Sequence, residues 1–114
     1  MSTSTLRSSV AAADTHEKEI VCIDASFEPL IPKFLSNRQT DVKTLQEALA
    51  AGDLDAVRRV AHTVKGVGGS YGFDRITEIA AAIEHAAKAG DVSTIAIELP
   101  ALTSYLDRIE VVFE

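Results

Sequence analysis

Ala61-His62-Thr63-Val64-Lys65-Gly66-Val67-Gly68-Gly69-Ser70-Tyr71-Gly72-Phe73 places a histidine, a lysine and four glycines where the flanking sequence reads as helix. Glycine costs about 1 kcal/mol relative to alanine inside a helix, so Gly66, Gly68 and Gly69 need a reason beyond propensity. The reason we infer is that another group must approach the backbone closely beside His62. Stepping 100° per residue from His62 sets Val57, Val60, Ala61, Val64 and Val67 on or near the far side of the helix. The near side holds Arg58, Arg59, Lys65, Gly66 and Gly69, with Asp55 one turn further back. If the valine face is the core, His62 faces water, ringed by positive charge and by residues without side chains.

The ends of this helix extend the reading to the whole fold. Ala-Gly-Asp occurs at Ala51-Gly52-Asp53 and again at Ala89-Gly90-Asp91. Glycine just past a helix takes the left-handed conformation that closes it, and the following aspartate accepts hydrogen bonds from the free amides of the next. Connections this short make the joined helices antiparallel neighbours, so the expected fold is all-α: an antiparallel up-down-up-down four-helix bundle.

The first helix should run from about Pro29 to Ala51, or start later at Pro32, with Ile31, Phe34, Leu35, Val42, Leu45 and Leu49 on one face. Its polar middle, Ser36 to Asp41, allows a break, with Thr40 or Asp41 capping the second piece. The second helix starts at Asp53. The third begins after Gly72, capped by Asp74, and buries Ile76, Ile79, Ala80 and Ile83, with Glu84 at the edge of that stripe. The fourth, from about Val92 to Val112, puts Ile95, Leu99, Leu102, Leu106, Ile109 and Phe113 on one face and should kink at Pro100.

A chain of 114 residues, 46% apolar and 25% charged, has the makings of one ordinary globular domain. Its net charge of -6, without a run of lysine or arginine, argues against nucleic acid as the main partner. Cys22 is the single cysteine, which excludes an intrachain disulfide and a thiolate metal cluster and fits a reducing compartment. No apolar run is long enough for a bilayer span or a secretory signal, so the expected location is cytoplasmic, away from the membrane. Residues 1–25 read as a flexible leader or linker and 26–114 as the domain. Within the former, Ile20 to Ile23 is a β-leaning run that either packs against the domain or ends an upstream one.

A surface histidine taken alone is usually solvated and inert, and the neighbours of His62 alter that reading. Lysine at i+3 can hold a phosphoryl group as a point charge, and glycine at i+4 clears the flank for an incoming group. An imidazole of ordinary pKa, about 6.5, keeps a nitrogen lone pair available near neutral pH. Metal binding is not expected: His16, His62 and His85 are scattered, without Glu-x-x-His pairs or His-Glu-x-x-His. Tyr71 and Phe73 read as packing for the loop after the helix.

His62, Lys65, Gly66 and Gly72 match H-x-x-K-G-x-x-x-x-x-G, and the stretch resembles the signature of histidine-containing phosphotransfer domains. The likeness extends from about Phe27 to Glu114, because both Ala-Gly-Asp turns and Ile83-Glu84 sit where such domains place their helix ends. The resemblance implies a phosphorelay intermediate. His62 would accept a phosphoryl group, through Nε2, from the aspartyl phosphate of a response-regulator receiver domain and pass it to another receiver. Lys65 would steady the phosphoryl oxygens, and Gly66 and Gly69 would leave room for the receiver. Mg²⁺ would sit on the receiver's carboxylates, leaving this chain, expected to be a monomer, without cofactor, nucleotide site or autokinase activity.

Arg58 and Arg59 would complement the acidic pocket of a receiver, or else pair with Asp55 on a solvated face. Ala-His-Thr-Val-Lys-Gly followed by Gly-Phe also resembles the histidine-bearing domain of chemotaxis-type kinases. There a glutamate on the next helix orients the histidine, and Glu84 matches its position. By position alone Glu84 reads as an ordinary boundary residue, the reading slightly favoured. The kinase, chemotaxis-type or hybrid sensor, would then lie in another chain or in the rest of a larger protein. A non-catalytic helical interaction bundle is the alternative of another class, though it has little use for intact His62, Lys65 and Gly66.

Overall fold

A computed structural model describes residues 18–114. Strand β1 (Glu19–Ile23) leads through a short 3-10 helix (Ala25–Leu30) into four α-helices. These are α1 (Ile31–Ala50), α2 (Leu54–Ser70), α3 (Asp74–Ala89) and α4 (Val92–Arg108), followed by strand β2 (Ile109–Phe113). Consecutive helices pack on one another and α4 returns to α1, so the four form a closed bundle. Leu45, Val57, Val64, Phe73, Ile76, Ile79, Ile83, Ile95 and Leu102 fill its centre.

Three glycines with positive φ, Gly52, Gly72 and Gly90, close α1, α2 and α3. Each closure follows one pattern, for example Asp53 N–H to Ala48 O and Gly52 N–H to Leu49 O, which satisfies carbonyls that the helix end leaves free. Asp53 and Asp91 then accept from the amides of Ala56 and Thr94, as the two Ala-Gly-Asp turns require.

The turn after α2 departs from expectation. Phe73, not Asp74, is the N-cap residue of α3, and no side chain caps it. Its amide is already bonded to Gly68 O in the closure of α2, and its ring is buried and stacked on Phe34 at 4.8 Å. Burial of an aromatic ring, about 2 kcal/mol, outweighs a cap worth about 1 kcal/mol. Asp74 opens the first turn instead, where its carboxylate still favours the amide end of the helix. Tyr71 packs 4.7 Å from Phe34 and 5.5 Å from Phe27, so both loop aromatics serve packing.

Helix α1 begins at Ile31, with Pro32 in its first turn and Pro29 in the preceding 3-10 helix, and continues through Ser36 to Asp41. Arg38 explains the continuity of that polar stretch. It is buried, its guanidinium lies 4.8 Å over the Phe34 ring, and its Nε donates to Asp41 at 2.8 Å. Helix α4 likewise passes Pro100 as one element.

The largest correction concerns the ends of the chain. Helix α4 stops at Arg108 rather than near Val112, and the all-α expectation gives way to a mainly helical fold with a two-stranded parallel sheet. In its register Glu19 faces Ile109 and Ile23 faces Phe113. A parallel pair needs a long crossover, and here the entire bundle supplies it. Val21, Ile23, Ile109, Val111 and Phe113 pack on the core, while Ile20, Cys22, Glu110 and Val112 face out. The Ile20 to Ile23 run therefore packs against the domain, and the folded unit takes in residues assigned above to the leader. Residues 1–17 of that leader lie outside the described residues.

Candidate functional site

Gly68 sets the spacing on which the site depends. A Cβ there would lie 3.0 Å from both Ile76 Cγ2 and Thr77 Oγ1, so its absence lets α3 press against α2. Thr77 Oγ1 then donates to Lys65 O at 3.0 Å, tying the two helices together. Two helical turns further along α3, this close approach delivers Glu84 to His62.

His62 exposes 65% of its side chain, yet its Nδ1 lies 2.9 Å from Glu84 Oε2. Glu84 is only 8% exposed and accepts from Lys65 Nζ at 2.7 Å through Oε1. The Lys65 hydrogen bond, joined by that from His62, outweighs the burial that would raise it and holds the carboxyl at about 2, down from an ordinary 4.5. An ionised carboxylate only accepts, so Nδ1 carries the proton and neutral His62 presents the Nε2 lone pair on the other edge of the ring. Glu84 is thus no ordinary boundary residue: a charge that the apolar stripe of α3 leaves at its edge becomes the anchor of an exposed imidazole.

The positive charge around His62 is paired, with Arg58 and Arg59 taking the Asp55 partner that was one of their two expected roles. Arg58 Nη2 donates to Asp55 Oδ1 at 2.9 Å, and Arg59 Nη1 binds Asp55 Oδ2. The Arg58 hydrogen bond first, and the Arg59 charge next, lower the Asp55 carboxyl. Lys65 is held by Glu84. Gly66, by contrast, has no atom within 4 Å of the place a Cβ would take, and Gly69 faces only Thr77 Oγ1 at 3.5 Å. The flank of His62 beside Gly66 is open.

Lys88 and Thr77 belong to this neighbourhood and escaped the sequence reading. Lys88 Nζ lies 3.8 Å from Glu84 Oε2, and with Leu54, Asp55, Arg58 and Ala87 it lines a cleft of about 340 Å³. The available signal was its i+4 spacing from Glu84. A larger cavity, about 950 Å³, lies elsewhere, between α1 and α4, with Leu49, Leu99 and Pro100 in its wall. Among the described residues no three His, Cys, Asp or Glu side chains converge to hold a metal ion. His85 is exposed, and His16 lies outside those residues.

A family model described as "Hpt domain" matches residues 30–111, a span that takes in all four helices and the His62–Glu84 pair. The chain belongs to the Hpt domain family. An Hpt domain is a histidine phosphotransfer module of two-component phosphorelays, not a conventional enzyme, and works with receiver domains and kinases. Comparisons with curated proteins and with solved structures give no match. No helix of this Hpt domain, among the described residues, is long and apolar enough to cross a membrane.

Proposed function

We propose that His62 is the phosphoacceptor of a phosphorelay, taking a phosphoryl group from the aspartyl phosphate of one receiver domain and passing it to another. One observation carries the reading: Glu84 engages Nδ1 of a His62 side chain that is otherwise largely exposed beside the open flank of Gly66, leaving Nε2 as the edge of the ring turned from Glu84. The Nε2 lone pair attacks phosphorus, and the bond to the aspartate oxygen breaks with its electrons, releasing the carboxylate. His62 keeps its Nδ1 proton, and Glu84 balances the positive charge that the ring gains. The reverse sequence delivers the group to the second receiver.

Lys65 turns toward the phosphoryl oxygens, Gly66 and Gly69 admit the partner, and Arg58 and Arg59 exchange part of their Asp55 pairing for the receiver's acidic rim. Such transfer needs positioning and charge neutralisation more than covalent chemistry. The proposal includes no resident cofactor and no autokinase activity, with Mg²⁺ placed on the receiver. It also takes the helices as an up-down-up-down antiparallel bundle, which the short Gly-Asp connections support, and the protein as a cytoplasmic monomer.

The test is to incubate the chain with a phosphorylated receiver and follow acid-labile phosphate. Wild type should be labelled and His62→Gln should not; equal labelling of the two would sink the assignment. A second reading is favoured by the Glu84–His62 hydrogen bond. It makes this the phosphoacceptor domain of a chemotaxis-type or hybrid kinase, labelled by a separate kinase domain. Labelling by a kinase and ATP without a receiver would select it.

A further inference from the structure

Glu84 accepts from Lys65 at one oxygen and from His62 at the other, and its carboxylate is nearly out of reach of water. A phosphoryl dianion on Nε2 competes for Lys65, whose side chain is 35% exposed and one turn from His62. Drawing Lys65 outward strips Glu84 of its closest cation, and leaving a buried carboxylate without its partner is costly. The groups facing that carboxylate are His62 and Lys65 from α2 and Lys88 from its own helix. Arg58, across the cleft, is occupied by Asp55.

Lys88 is placed to fill the gap. It follows Glu84 at i+4, the order that favours a carboxylate–lysine pair on a helix. Its Nζ stands 3.8 Å from Oε2, beyond hydrogen-bond length, and its side chain is 59% exposed, which leaves it free to change rotamer. Among the described residues Glu84 is its ion-pair partner.

We propose that Lys88 is a positioning residue, a reserve counter-charge that closes on Glu84 when Lys65 leaves for the phosphoryl group. The exchange keeps the carboxylate ionised, and hence His62 oriented, throughout transfer. The inference rests on the phosphotransfer reading of His62, although its first test does not.

That test is an NMR titration of the Glu84 carboxyl in the full chain, with Lys65→Met standing for the departure of Lys65. Lys88→Met alone should move the midpoint little and Lys65→Met should raise it. The double variant should raise it by more than the sum, and Lys88→Arg in the Lys65→Met background should restore the single-variant value. Additive shifts would overturn the exchange. In single-turnover transfer from a phosphorylated receiver, Lys88→Met should slow the rate roughly three- to tenfold, as loss of a partly screened ion pair allows. Lys88→Arg should rescue it, and the slowing should be larger in the Lys65→Met background, where Lys88 is the lysine left to hold Glu84. An equal slowing in both backgrounds would also overturn the exchange, whereas an unlabelled wild type would instead overturn the phosphotransfer reading.

Discussion

Gly66 and Gly68 lie two residues apart on one helix and do opposite work. Gly66 faces empty space beside His62, whereas Gly68 is pressed against Ile76 and Thr77. The outer face of α2 is therefore open at Gly66, while the inner face is closed around a neighbouring helix. The inner face governs the outer one, because the close contact at Gly68 is what brings Glu84 under His62.

The sharpest way to break this contrast is to fill both positions. Gly68→Val should cost about 3 kcal/mol, since the new atoms meet side chains on a packed helix with little room to shift. It should also weaken the His62–Glu84 bond by forcing α3 outward. Gly66→Leu puts its Cβ where no atom lies within 4 Å and replaces glycine in a helix, so urea denaturation should show stability unchanged or raised by about 0.5–1 kcal/mol. Its penalty should appear in transfer, slowed about tenfold, equivalent to about 1.4 kcal/mol. Equal destabilisation by the two variants would end the distinction between an open and a closed face.

How much of this was legible in the sequence depends on where each signal resides. The helix ends could be read because a left-handed glycine followed by a capping aspartate acts within a few residues. Strand β2 could not. Leu102, Leu106, Ile109 and Phe113 satisfy a helical period, while Ile109, Val111 and Phe113 also satisfy a strand period. The choice belongs to β1 at the other end of the described chain, whose edge supplies the hydrogen bonds. Arg38 looked like part of a polar break because its guanidinium finds Phe34 and Asp41 only once α1 has formed. At the site, His62, Lys65 and the glycines stood out in one short stretch. The importance of Glu84, 22 residues downstream, depended on how closely two helices approach.

Glu84 links the two faces, and pH tests the link. Its folded pKa of about 2 lies below the ordinary 4.5. Its contribution to stability is therefore fully present above about pH 4.5 and lost as pH falls through about 2. Asp24, Asp55 and Asp91 are shifted down as well and add to the acid limb in the same direction. Glu84→Gln keeps the shape and removes the charge. It should cost about 1–2 kcal/mol at neutral pH and flatten the acid limb, as measured by urea midpoints from pH 2 to 7. An unchanged acid limb would mean that the carboxylate contributes little to holding α3 against α2.

The smallest expected effect separates the outer face from the arginines at its end. Arg58 and Arg59 share a single exposed carboxylate, and each such pair is worth at most about 1 kcal/mol and is screened by salt. Arg59, the more exposed of the two, should be nearly silent in stability when changed to alanine, within about 0.5 kcal/mol. Its role in docking would appear only in the rate at which a receiver is met. Arg59→Ala should lower the second-order rate of transfer a few-fold at low ionic strength, and the deficit should shrink toward nothing as salt is raised. A deficit independent of salt would instead tie Arg59 to the reacting groups themselves. No deficit at any salt would leave the arginines to Asp55 and reduce the outer face to His62, Lys65, Gly66 and Gly69.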